Sequence, residues 1–209
     1  MNSMATFRVL PREMRDKIYS FLLVSPNSID LATDIASGRA GHLTIPIEIH
    51  NIGRVSSASK EEALEVYFRD NTFSLTPPGK GHENLPAKQL LRWRWHVGIG
   101  YCLRHIRSIE VELSYNRIIG EGRYQKEKSL YTIRMTNICS VTRTANGGTA
   151  SYCVCELEEK LAKLMDGVRG YRGEALLDFA EPLLEDANAG KCFRGEQCEA
   201  CAKVKLVPS

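Results

Sequence analysis

Residues 59–75 read Ser59-Lys60-Glu61-Glu62-Ala63-Leu64-Glu65-Val66-Tyr67-Phe68-Arg69-Asp70-Asn71-Thr72-Phe73-Ser74-Leu75, and they set a helix directly against a strand. Ser59 and Glu62 have capping-box spacing, although the helix they would open could begin as early as Arg54. Ala63, Leu64, Tyr67 and Phe68 recur at helical intervals. Asp70-Asn71 is a stop and turn, Thr72 to Leu75 is rich in strand formers, and Pro77-Pro78-Gly79 closes the unit. A chain that passes from helix to strand in this way points to an α+β domain.

Upstream, a helix begins at Pro11, where a missing N–H is harmless. Met14, Ile18, Phe21 and Leu22 fall at i, i+4, i+7 and i+8 and form one apolar stripe, and Pro26-Asn27-Ser28 ends the helix. Residues 27–42 read as loop. Leu43, Ile45, Ile47 and Ile49 then alternate with Thr44, Pro46 and Glu48, a period of two that predicts a strand, with Pro46 placing it at a sheet edge.

Downstream, a helix is expected from Leu85-Pro86 toward Trp95. Ile109, Val111 and Leu113 alternate with Glu110, Glu112 and Ser114 as a strand with one wet face, and the charged residues 116–128 read as an exposed loop. Tyr131, Ile133 and Met135 alternate next. Asn146-Gly147-Gly148 is a hairpin turn signal, with Thr149 to Cys155 as the returning strand, giving a hairpin over 129–156. Leu157, Leu161, Leu164, Met165 and Val168 keep helical spacing. After Gly170 and Gly173 a second helix carries Leu176, Leu177, Phe179 and Leu183, and Pro182 is expected to kink or interrupt it. The expected architecture is one α+β domain over 1–187, with a small, mostly antiparallel sheet and packed helices, followed by a cysteine-bearing tail over 188–209.

Composition narrows the function. The 209 residues carry a formal net charge of +3, too little to indicate a nucleic-acid or membrane partner from bulk charge. The opening residues lack the long apolar run of a signal peptide, and Ile18 to Val24, interrupted by Tyr19 and Ser20 and flanked by charge, is too short to span a bilayer. The expectation is an unsecreted protein of the cytoplasm or nucleus, without a membrane partner. Seven cysteines, an odd number without a secretory signal, favour reduced thiols or a metal site over a disulfide framework.

The stretch Phe7 to Leu23 resembles the opening helix of an F-box, in the variant common in filamentous fungi: Leu10-Pro11, an acid at Glu13, apolar Met14, Arg15, then Ile18-Tyr19 and two leucines. Ser59 to Leu75, with Glu62-Ala63, Tyr67-Phe68 and Asn71-Thr72-Phe73, is similar to a second block of those proteins. Leu103-Arg104-His105-Ile106-Arg107 is a third, weaker match leading into the strand at Ile109. The matches cover roughly the first half of the chain in family order. An F-box is a compact bundle of three helices that offers an apolar helical face to a groove on the linker subunit of a ubiquitin ligase. The resemblance therefore implies a non-catalytic adaptor that recruits a protein substrate, with Leu10, Pro11, Met14, Ile18 and Leu22 as the partner-binding face. The residues by themselves leave a second reading open, in which the same stripe packs on the rest of its own domain.

Two further constellations carry chemistry. Cys198-Glu199-Ala200-Cys201 could chelate zinc from a tight turn with Cys192 as a third thiolate, and Lys191, Arg194 and Lys203 would favour the thiolate form. No histidine lies in the tail to complete the site, and thiols without metal are the alternative. Arg92-Trp93-Arg94-Trp95, with Arg104 and Arg107, interleaves cations and aromatics in the manner of a nucleic-acid-binding patch. The alternative is a helix that buries a tryptophan beneath arginine stems. Catalytic signatures are lacking: there is no G-x-S-x-G, H-E-x-x-H, phosphate-binding loop or G-x-G-x-x-G, and the five histidines are scattered, so the chain is not expected to be an enzyme.

Overall fold

The structure is a computed structural model that describes residues 4–30, 45–75, 104–118, 124–135, 139–145, 154–167 and 172–188. In chain order the elements are α1 (Met4–Val9), α2 (Arg12–Leu23), β1 (Ile29–Asp30), α3 (Ile47–Val55), α4 (Ser57–Asp70), β2 (Thr72–Ser74), β3 (Ser108–Ile118), β4 (Tyr124–Met135), β5 (Cys139–Ala145), α5 (Val154–Gly167) and α6 (Arg172–Asn188). The fold is α+β.

The strands form one mixed sheet in the order β1-β2-β3-β4-β5. The short strands β1 and β2 run parallel to each other and to β3, whereas β3, β4 and β5 are antiparallel neighbours. Register aligns Phe73 with Ile109, Ile109 with Ile133, and Ile133 with Val141. These four side chains are all buried, so one apolar row crosses four strands. Helices α5 and α6 pack against β3, β4 and β5. They contribute Leu157 and Leu161, and Ala175, Leu176, Leu177, Phe179, Ala180 and Leu183, to one core that also takes Val66, Tyr67 and Phe68 from α4.

Several expectations need correction. Residues 47–55 are helix, not edge strand. Pro46 is the N-cap, Glu48 sits in the first turn, and Ile45, Ile49 and Ile52 follow helical spacing toward the core while Ile47 is left 62 % exposed. The cap of α4 is Ser56, whose hydroxyl accepts from the Ser59 amide at 3.4 Å; Glu62 reaches across to another helix instead of back to a cap. The exposed loop expected over 116–128 is largely strand, since Asn116 pairs with Lys126 and Ile118 with Tyr124. The hairpin partner of β4 is β5, reached between Met135 and Cys139, and Val154-Cys155 open α5 in place of ending a strand. The turn signal at Asn146-Gly147-Gly148 lies outside the described residues. Helix α6 runs through Pro182 without interruption, with the proline on its exposed side. The helix expected from Leu85 and the tail over 189–209 lie outside the described residues.

Candidate docking face on the opening helix

Helix α2 lies against α4, and its charged side faces inward. Pro11 starts it with φ −52° and ψ 151°, and its carbonyl accepts from the amides of Met14 at 3.1 Å and Arg15 at 3.2 Å. The Arg15 guanidinium then spans the interface: Nε donates to Glu62 Oε2 at 2.9 Å, Nη2 to Glu62 Oε1 at 2.7 Å, and Nη1 to the Leu10 carbonyl at 2.6 Å. This two-pronged geometry matches a planar donor fork to a carboxylate and is the strong form of an ion pair. Tyr19 donates its hydroxyl to Glu62 at 3.4 Å, and its ring packs edge-on against Phe7 at 5.7 Å.

A second set of charges continues the seam. Arg12 donates to Glu65 at 3.0 Å and also pairs with Asp16. Arg69 reaches Asp16 at 3.4 Å and grips Asp70 at 2.8 and 3.0 Å, and Ser20 donates to Asp70 at 3.2 Å. The hydrogen bonds from Arg15 hold the Glu62 carboxyl below its ordinary range against the opposing effect of burial, and the same contact raises Arg15. Burial works to raise Asp70, but Arg69 and Ser20 outweigh it and keep the carboxyl low. The Asp70 contact leads in raising Arg69.

The end of the seam is fixed by Asn71, which is buried. Its Nδ2 donates to the carbonyls of Leu23 at 3.0 Å and Tyr67 at 2.8 Å, and its Oδ1 accepts from the Ser25 amide at 2.7 Å. One side chain thus closes the C-termini of α2 and α4 together.

With Arg12, Arg15, Asp16 and Tyr19 turned toward α4, the helical period places Met14 and Phe21 on the opposite side and Ile18 and Leu22 on the flank that runs back toward Arg15. They are exposed by 51, 37, 88 and 51 %, respectively. Of the face expected from sequence, Pro11, Met14, Ile18 and Leu22 are therefore exposed, and Leu10 is half-buried. Phe21, counted in the stripe but not in that face, is the most exposed of the large apolar residues described. The polar seam itself has a weak sequence signal: Arg12, Arg15, Asp16 and Tyr19 share one side of a helical wheel, but only tertiary packing supplies Glu62, Glu65 and Arg69 as partners.

Of the remaining candidates, only Arg104 and Arg107 lie within the described residues. Arg92, Trp93, Arg94 and Trp95 lie outside the described residues. Arg104 is half-buried, with its Nε donating to His105 Nε2 at 3.0 Å and its carbonyl accepting from the Gly173 amide at 3.1 Å. Burial lowers the His105 pKa. Arg107 is exposed, and its carbonyl accepts from the Met135 amide at 2.7 Å. Cys192, Cys198 and Cys201 lie outside the described residues; among those described, no group of His, Cys, Asp or Glu side chains is placed to hold a metal ion. Nor is any described helix long and apolar enough to cross a membrane. Comparisons with protein-family models, curated proteins and solved structures give no match to the chain.

Proposed function

We propose that this protein is a non-catalytic interaction module that seats the outer face of α2 in an apolar groove of a partner protein, as an F-box-like adaptor recruiting a substrate to a ubiquitin ligase. One observation carries the reading: Met14, Ile18, Phe21 and Leu22 line one side of a single helix and stay exposed, while the charged side of that helix packs inward. A contiguous exposed apolar stripe is costly in water and is the feature a helix-in-groove partner recognises. In the N-terminal part α4 packs on both α2 and α3, which supports the reading made from the resemblance of Phe7 to Leu23 and Ser59 to Leu75 to F-box-like sequences.

Phe21 and Ile18 are the anchors of this face. Covering a large apolar side chain contributes roughly 1.5–3 kcal/mol. Phe21→Asp or Ile18→Asp should therefore weaken capture of the ubiquitin-ligase linker subunit by at least about tenfold, the factor that roughly 1.4 kcal/mol represents. The check is a pull-down with purified linker subunit, with circular dichroism to confirm that the variants fold. Equal absence of binding by the wild type and both variants removes the adaptor reading.

A further inference from the structure

We propose that the segment from Phe7 to Leu23 is an ionically latched strap, able to swing away from α4 about a pivot at Asn71 while the sheet remains closed. The inference concerns the inner side of α2 and does not rest on the docking reading.

The asymmetry of burial is the starting point. Among its described side chains, α2 buries only Tyr19 and Leu23, whereas α4 buries Ser59, Ala63, Val66, Tyr67 and Phe68. The rest of the α2–α4 contact is charge and hydrogen bonding: Arg12, Arg15, Asp16 and Ser20 on one side, Glu62, Glu65, Arg69 and Asp70 on the other. The charged groups among them keep between 16 and 37 % of their side-chain surface exposed. Ion pairs in that setting remain open to water and to screening, so apart from the two-pronged Arg15–Glu62 contact each adds little, and their sum depends on salt. An element held by such contacts opens more readily than one held by an apolar core.

The two ends of the strap differ. At the C-terminal end Asn71 holds Leu23 and Ser25 through two hydrogen bonds while a third anchors it to Tyr67 of α4, and the chain continues into β1 within the sheet. At the N-terminal end the strap is tied by Arg8, which donates to Ser56 Oγ at 2.6 Å on the exposed surface, while the contact of Phe7 with Tyr19 joins α1 to α2 within the strap. The pivot is therefore the Asn71 clamp and the latch is the Arg15–Glu62 fork with its neighbours.

Hydrogen–deuterium exchange of the full chain tests this. Between about 0.05 M and about 1 M sodium chloride, where the screening length falls several-fold, α2 amides should exchange about tenfold faster while β3 and β4 amides hold their protection. At low salt, Glu62→Gln and the milder Arg12→Gln should reproduce the increase in α2 alone. The proposal is overturned if α2 exchange is insensitive to salt, if α2 and β3–β4 lose protection in step, or if both variants leave α2 protection unchanged.

Discussion

At the scale of single residues, Asn71 shows how one side chain can join elements that sequence alone leaves separate. Its amide supplies two donors to the Leu23 and Tyr67 carbonyls, and its oxygen accepts from the Ser25 amide. An aspartate would keep the acceptor, lose both donors and bring a charge into a site that is 1 % exposed. Alanine would leave three backbone groups without this partner. Asn71→Ala is expected to destabilise the protein by about 2–3 kcal/mol, because unsatisfied buried groups retain their full desolvation cost. Urea unfolding measures it, and a loss below about 0.5 kcal/mol, the ordinary range for a surface substitution, would show the clamp to be dispensable. The residue was visible in sequence only as a turn-forming asparagine after a helix. Nothing local indicates that two of its three partners, Leu23 and Ser25, lie 48 and 46 residues upstream.

At the scale of elements, α3 shows why hydrophobic period can mislead. Isoleucines at 45, 47 and 49 satisfy a period of two, and 45, 49 and 52 satisfy a helical one. Pro46 is compatible with both, as an edge-strand residue or as a helix start. Packing on α4 decides for the helix, burying Ile49 completely and leaving Ile47 on the outside. The two residues should therefore respond differently. Ile49→Ala should cost about 2–5 kcal/mol and Ile47→Ala less than about 0.5 kcal/mol, measured by chemical unfolding. Equal costs would restore the strand, in which both side chains share one face. The hairpin shift has a similar origin. Tyr131, Ile133 and Met135 were legible as strand, but their partner is chosen by the alignment of Val141 with Ile133 and not by the strongest turn signal. Pro182 fits the exposed side of α6, where Ala175, Leu176, Phe179, Ala180 and Leu183 carry the packing.

At the scale of the whole molecule, the large apolar residues left exposed among the described side chains are Val9, Met14, Ile18, Phe21, Leu22, Ile47 and Val55, all in the N-terminal helices. This segregation sets a stability prediction that is independent of any partner. Phe21→Ser should shift the thermal midpoint by less than about 2 °C, whereas Tyr19→Ala, two positions away and 1 % exposed, should cost about 3 kcal/mol or more. A large drop for Phe21→Ser in the isolated protein would mean that the outer face of α2 is covered within its own chain. The sequence by itself determined the α+β class, the opening helix with its apolar stripe, the α4–β2 junction and the two closing helices, because these follow from local period and punctuation. Tertiary structure alone decided which side of α2 faces water, that α3 is helical and that β5 pairs with β4. The physical reason is that a helical stripe has the same pattern whether it is buried or presented. Only the distant Glu62, Glu65 and Arg69, by satisfying the charged side of α2, turn its apolar side outward.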